Sequence, residues 1–388
     1  MRHLVRKLAR TWNTWPTEMD SIAVKIVKLH NELRNRFPHL SRMAIAIYDK
    51  DSDLLKTFVD STLGHTPINH YSVPLSQVPS LQTLAEYGQH RVIEDLDVLR
   101  GSPSAHSRWL IEQGFRSSYT LPLIAEHLLA GFLFFDADKP KYFDRLIIQS
   151  LNVYADLITS VLVNELAPLY TLRGAINAAQ RLTHHRDSET AAHLIRMAQY
   201  SYLLAQRVST MHGLSDECIE YILEYSPLHD IGKIGIPDNI LLKPGKLTSD
   251  EYDIIKTHVQ IGVDVINVLV KDFSLRRFSH LSILQNIIGC HHERYDGSGY
   301  PNGLKGDEIP VEGRIVAIAD VLDALSHTRP YKPAFSFRQS VDYILDKSAT
   351  LFDPVLCDAL RDHYDEFNKI YAMFKEEEDG PSSSTDQA

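Results

Sequence analysis

The sequence predicts a two-domain protein, an N-terminal α+β domain followed by an all-α helical bundle. Three observations predict it. The chain has 388 residues, a length that favours two domains, each large enough to bury its own core. Residues 21–165 mix period-2 strand patterns with short helical stretches, whereas residues 166–374 keep a helical period. Histidine is also unevenly spread, since nine of the 19 fall between 184 and 292. Residues 1–20 read as an N-terminal extension, and 375–388 as an acidic, Ser-rich tail expected to be disordered.

Composition narrows the function classes. Hydrophobic content of 44% with 23% charged residues is ordinary for a globular protein. A net charge of −10 argues against a nucleic acid polymer as partner, although a pocket around bound cations can be locally positive. Cys218, Cys290 and Cys357 are odd in number and form no CxxC pair. Neither a zinc knuckle nor a disulfide framework is expected, which suits a reducing compartment. Arg2, Arg6, Lys7 and Arg10 are not followed by the apolar run that a signal peptide requires. No run approaches 18 consecutive apolar residues, so no membrane span and a cytoplasmic location are expected.

Taken in order, Ile22, Ile26, Leu29 and Leu33 give 19–37 a helical period. Residues 43–48 and 54–59 are β runs around a charged turn, a hairpin. Residues 67–77 read as irregular, 80–87 as a short helix, 91–95 as a strand and 105–113 as a helix. A second hairpin joins 117–123 to 128–136. His65, His70 and Tyr71 are candidates to line a ligand pocket. Over 142–166 the apolar stripe Ile147, Leu151, Tyr154, Ile158, Val161 and Leu162 serves either a dimer seam or packing on its own domain. Pro168 is expected to end or kink that helix, with a further run from Leu172. A Pro- and Gly-rich loop follows at 235–246. Thr248 and Glu251 then form a capping box that starts the helix carrying His258.

The chemistry-bearing residues lie in the second half. Glu189 and His193 are four apart, so on a helix both project from one face. His229 and Asp230 sit among Ile222, Leu223, Leu228 and Ile231, where an ionised aspartate needs a partner such as a metal. The two side chains diverge on a helix, and a carboxylate between two cations can bridge them while histidines serve each one. Lys233, one turn on, would be repelled by cations unless aimed at an anion they also bind, and phosphate is the natural candidate. His258, the pair His291 and His292, and Asp320 within the apolar run 315–322 complete a set of eight candidate ligands. Each alone has a bland explanation as a satisfied core or surface group; the set together points to a metal cluster.

Two resemblances follow from these residues. Gly114-Phe115-Arg116-Ser117-Ser118-Tyr119 through Gly131-Phe132-Leu133-Phe134-Phe135 resembles a GAF domain, over about 21–165, although an unrelated α+β sensor such as a PAS domain shares the pattern. That likeness implies a small ligand of unidentified chemistry and a homodimer. His229-Asp230-Ile231-Gly232-Lys233, the double histidine, and Tyr295-Asp296-Gly297-Ser298-Gly299-Tyr300-Pro301 resemble an HD-GYP domain over 166–374. The likeness implies a helical bundle holding a bi- or trinuclear metal centre, iron first and manganese second. It implies hydrolysis of cyclic di-GMP to pGpG, and in many members onward to GMP. By position, His193, His229, Asp230, His258, His291, His292 and Asp320 match metal ligands, and Glu189 matches the glutamate of trinuclear members. Asp230 and Lys233 would be catalytic, with Lys233 on a phosphate, and Tyr300, Arg329 and Lys332 would contact substrate. Asp187 and Asp323 would be acids close to the metals. Ser226-Pro227 before Leu228-His229 and Ser326-His327-Thr328 before Arg329 depart from the usual pattern without removing a ligand. Other readings are a hydrolase of another cyclic dinucleotide or of pGpG, and a silent module that binds nucleotide or a diguanylate cyclase.

Overall fold

The structure, a computed structural model, describes residues 21–378 apart from 51, 63–67, 69, 103, 126–127, 183–190, 273–279 and 328–333. The expected extension, His65 and residues 379–388 of the expected tail lie outside that set. The chain separates into two compact units, the first reaching Tyr170 and the second beginning at Thr171.

In the first unit Ser21 caps helix α1 (Ile22–Arg36), accepting from the Val24 N–H at 3.2 Å. Strands β1 (Leu40–Asp49) and β2 (Leu54–Thr62) form the expected hairpin, and Asp53 takes the left-handed turn conformation at φ 56°. Short strand β3 (Ser72–Pro74), helix α2 (Pro79–Tyr87), short strand β4 (Arg91–Ile93) and helix α3 (Ala105–Glu112) come next. The second hairpin is β5 (Ser117–Ala125) with β6 (Leu128–Ala137). All pairs are antiparallel, in the order β3-β2-β1-β6-β5-β4. Because strand side chains alternate, β1 sends Met43, Ile45 and Ile47 to one face and Ala44 and Ala46 to the other. The first face packs on α1 and on helix α4 (Arg145–Leu182) through Ile22, Ile26, Leu151 and Ile158; the second packs on Leu81 and Leu84 of α2. A Cβ on Gly131 would lie 2.1 Å from the Ala46 carbonyl oxygen, so only glycine lets β6 close against β1. This is the α+β layout that the sequence predicts.

Two readings of this unit need correction. Residues 67–77 include the short edge strand β3, which pairs with β2 by backbone bonds that no periodicity announces. Pro168 does not end a helix: α4 runs through it for 38 residues. A proline costs a helix one hydrogen bond, and burial of Leu151, Ala155, Ile158 and Leu162 on one side of α4 offsets that loss. By length and composition, its stretch Arg145–Ala167 is also apolar enough to cross a membrane. The uninterrupted-run criterion overlooks it because isolated charged residues such as Asp156 and Glu165 break the run.

The second unit is helical, as predicted. Its helices are α5 (Ala191–His212), α6 (Asp216–Tyr225), the short α7 (Asp238–Leu241), α8 (Ser249–Lys256), α9 (His258–Asp272), α10 (Leu281–Cys290), α11 (Val311–Ser326), α12 (Phe337–Asp346), α13 (Pro354–Asp362) and α14 (Tyr364–Glu378). Helix α5 packs against α6, α11, α13 and α14 through Met197, Leu204 and Val208. The capping box at Thr248 forms, but it starts α8, which stops at Lys256. His258 instead opens the next helix, α9, so its ring is set at a helix start rather than mid-helix. Residues 375–378, read as tail, belong to α14.

Candidate metal centre

His229 and Asp230 lie on neither helix but between two 3-10 turns, Ser226–Leu228 and Ile231–Gly235, with Pro227 in the first turn where its missing N–H costs nothing. Glycine then decides what can approach. A Cβ on Gly232 would lie 1.8 Å from the His258 carbonyl oxygen, so the start of α9 reaches the Asp230 turn only because this residue has no side chain. Gly313 does the same where α11 crosses the end of α10, with an added Cβ 2.8 Å from the Cys290 Cβ. These two short approaches gather side chains far apart in sequence.

The gathered side chains form two groups. Asp230, His258, His291 and His292 each offer an atom within 4.8 Å of the others, and so do His193, His229 and Asp320. Asp230 faces both groups. Its Oδ1 lies 2.9 Å from His258 Nε2 and 3.6 Å from His291 Nε2, while its Oδ2 lies 3.1 Å from His229 Nε2 and 2.8 Å from the Lys233 ammonium. The rings of His229 and His291 are 5.1 Å apart.

Backbone carbonyls orient the imidazoles. His229 Nδ1 is 3.0 Å from the Ser226 oxygen, His258 Nδ1 is 2.7 Å from that of Ile255, and His291 Nδ1 is 3.0 Å from that of Ile287. A carbonyl only accepts, so each Nδ1 carries the proton and each Nε2 presents a lone pair toward Asp230. His193 is held differently: its Nδ1 is 2.7 Å from Asp323 Oδ2, and Arg196 donates to both oxygens of that buried carboxylate at 2.7 and 3.0 Å. Lone pairs crowded around a carboxylate repel one another unless cations lie among them, and nitrogen plus oxygen donors suit a divalent metal. The residues fit a metal centre.

Electrostatics agree. Burial alone would raise the Asp230 carboxyl, but the Lys233 ammonium beside it opposes that and the group is held well below the usual carboxylate range. Burial lowers His291 below its ordinary value, and burial with the neighbouring His291 takes His292 well below. Lys233 is placed against Asp230 rather than out toward solvent, so its ammonium is first a charge partner of that carboxylate.

The loop after the double histidine sets Tyr300. Gly299 packs so closely that a Cβ would sit 2.3 Å from the Arg294 nitrogen. The Tyr300 N–H donates to the His292 carbonyl at 3.2 Å, and its ring stacks on His292 with centroids 4.8 Å apart. Buried Glu293 holds the loop's far side, accepting from the N–H groups of Asn302 at 2.7 Å and Leu304 at 3.1 Å. Sequence reasoning missed Glu293 and Arg196. The available signals were an acid directly after His292 and a basic residue three after His193, both too common to stand out. Glu189, Asp187, Arg329 and Lys332 lie outside the described residues. In the first unit a cavity of about 70 Å³ is lined by Arg42, Thr57, Asp60, Tyr71, His106 and Phe134 among others. Tyr71 is thus at a pocket, and His70 is not among its lining residues.

Residues 187–356 match the family model described as HD domain. The cyclic di-GMP phosphodiesterase response regulator RpfG of Xanthomonas campestris pv. campestris is 45% identical over 188 residues, covering 48% of this chain and 47% of that relative. The 3′3′-cGAMP-specific phosphodiesterase 2 of Vibrio cholerae serotype O1 is 40% identical over 227 residues, covering 58% of this chain and 39% of that relative. The chain spans less than half the length of either. Among solved structures, the GAF domain of an Acinetobacter phosphoenolpyruvate-protein phosphotransferase is similar to 42% of this chain and covers 92% of its own, at 14% identity and a TM-score of 0.30. Residues 187–356 of the second unit are thus similar to HD domains.

Proposed function

We propose that the second unit is a metal-dependent phosphodiesterase that opens cyclic di-GMP to linear pGpG, the step that an assay for pGpG or GMP reads. The observation that carries this reading is the pair of ligand groups facing opposite oxygens of Asp230. Relatives named for cyclic dinucleotide hydrolysis support it. The resemblance to HD-GYP domains makes iron the first candidate metal and manganese the second. Bound there, the cations would supply Lewis-acid charge and an acidified water.

The chain's own residues do the rest. Asp230 stays ionised at neutral pH and presents one oxygen to each group. The carbonyl bonds of His229, His258 and His291 fix the rings so that each Nε2 faces inward. Lys233 offsets charge that develops on the non-bridging phosphate oxygens. Burial raises the Tyr300 phenol, so it keeps its proton and can donate to a phosphate or stack on a base. Arg329 and Lys332 would hold the second phosphate or a guanine edge, and Glu189 would be the further ligand for a third metal. The first unit regulates turnover through a small ligand, in a cytoplasmic homodimer.

The test is metal analysis of anaerobically purified protein with a hydrolysis assay on the same sample. Two or three iron or manganese ions per chain, with pGpG or GMP released, is the expected result. A metal-free preparation without turnover would favour the silent module that binds nucleotide or a diguanylate cyclase. A second reading, hydrolysis of 3′3′-cGAMP, has its own support in the Vibrio cholerae relative. Competition between the two cyclic dinucleotides in one reaction separates them.

A further inference from the structure

The loop after the double histidine closes on itself through one carboxylate. Gly303 takes the left-handed conformation at φ 65°, which turns the amides on either side of it toward a single anion. That anion is the chain's own Glu293, with Oε1 on the Asn302 N–H and Oε2 on the Leu304 N–H. Glu293 is buried, and among the described residues these amides are its only hydrogen-bond partners. The outer end of the loop is pinned elsewhere. There the Tyr295 and Asp296 N–H groups donate to the Leu351 and Thr350 carbonyls at 3.2 and 2.8 Å. Tyr300 sits between the two anchors. On one side Gly299 lies against Glu293, an added Cβ falling 2.5 Å from the Glu293 Cα; on the other, Asn302 is tied to the carboxylate. The Tyr300 ring stacks on His292 and stands edge-on to His258, with centroids 6.5 Å apart in the second pair. Its hydroxyl has no hydrogen-bond partner among the described residues.

We propose that Glu293 is a positioning residue for the substrate: it touches no substrate itself but sets where the Tyr300 hydroxyl meets the cyclic dinucleotide. This rests on the reading of the second unit as a cyclic dinucleotide phosphodiesterase. A carboxylate suits the task because both of its oxygens accept, and a charged acceptor binds an amide more strongly than a neutral one. Glutamine keeps the shape but offers one acceptor oxygen and turns its NH2 group on the second amide, so one of the two bonds is lost. Aspartate keeps the charge but is one methylene shorter, and cannot reach both amides from the same backbone. Either change leaves every candidate metal ligand in place and frees Tyr300 to shift over the His292 ring.

The experiment uses the full, metal-loaded chain. Cyclic di-GMP hydrolysis, metal counting and amide hydrogen exchange are measured on wild type, Glu293→Gln, Glu293→Asp, Tyr300→Phe and the Glu293→Gln/Tyr300→Phe double variant. In Glu293→Gln, KM should rise roughly tenfold with kcat within about threefold, because the lost bond loosens substrate binding and not the chemistry. Exchange across 300–305 should quicken while the metal count stays that of wild type. The double variant should be no poorer than the worse single one, since one residue acts through the other. Additive losses, which a merely structural role would give, overturn the proposal, and so does an unchanged KM. If Glu293→Gln fails to fold, Glu293→Asp carries the same comparisons, alone and combined with Tyr300→Phe. Exchange as slow in the Glu293 variants as in wild type overturns the proposal without reference to turnover and leaves the functional reading standing. A wild type that hydrolyses no cyclic dinucleotide removes that reading, and this proposal with it.

Discussion

Asp323 shows how one carboxylate outside the ligand set can decide whether a ligand works. Burial opposes its charge, but hydrogen bonds from His193 and Arg196 hold it below the ordinary value. Asp323→Asn would leave Arg196 buried without a full counter-charge and release the His193 ring. Metal affinity in the His193, His229 and Asp320 group should fall roughly 10- to 100-fold. Mass spectrometric metal counting on dialysed protein should then show a lower stoichiometry, and an unchanged count would contradict this role. A histidine in the first unit gives a pH prediction. Burial lowers His30 to about 4, although its Nδ1 is 2.8 Å from Ser61 Oγ. A histidine whose folded value is depressed must take up a proton on unfolding, so its contribution is present above about 6.5 and lost as pH falls toward 4. Thermal melts should decline over that window, by about 1.4 kcal/mol per pH unit for the one group. His30→Gln should flatten the decline; an identical slope would reject the assignment. At this scale the candidate ligands that the structure gathers were legible in the sequence because metal chemistry restricts the residue types. Arg196 was not, since its partner Asp323 is 127 positions away.

The elements came out of the sequence wherever a period or a cap announced them. The two hairpins, the Thr248 capping box and the helical second half are of that kind. What periodicity could not tell was where elements touch. Gly232 looks like an ordinary turn residue, yet the whole approach of α9 to Asp230 depends on it. Gly232→Ala should therefore move His258 off Asp230, destabilise the second unit by roughly 1–3 kcal/mol, and lower bound metal. Gly174 is the control, because it lies in α4 and, among the described residues, no neighbour comes within 4 Å of an added Cβ. Gly174→Ala should be neutral or stabilising by roughly 0.5–1 kcal/mol. Equal melting temperatures and metal contents for Gly232→Ala and wild type would show that the close approach is not needed.

For the whole molecule, the open question is assembly, and α4 carries the evidence. The sequence reading left its apolar stripe to serve either a dimer seam or its own domain. Leu151, Ile158 and Leu162 of that stripe are buried in the first unit's core, so it is spent on its own domain. The other side of the helix was not legible, because a single period reports one face and charged neighbours dilute the second. Leu146 and Val153 are 73% and 68% exposed and Leu157 43%, with spacings of seven and four along the helix. Those are the spacings by which two helices pair along a seam. Water contact with large aliphatic groups costs about 25 cal/mol per Å², a continuing drive for a second copy to cover them. The expected result is a light-scattering mass near twice 44.1 kDa. Replacing all three residues with glutamine should return the mass to one chain while bound metal is unchanged, since the ligands belong to the second unit. A wild-type monomer at micromolar concentration would remove the homodimer from the proposed function, and regulation would then have to act within one chain.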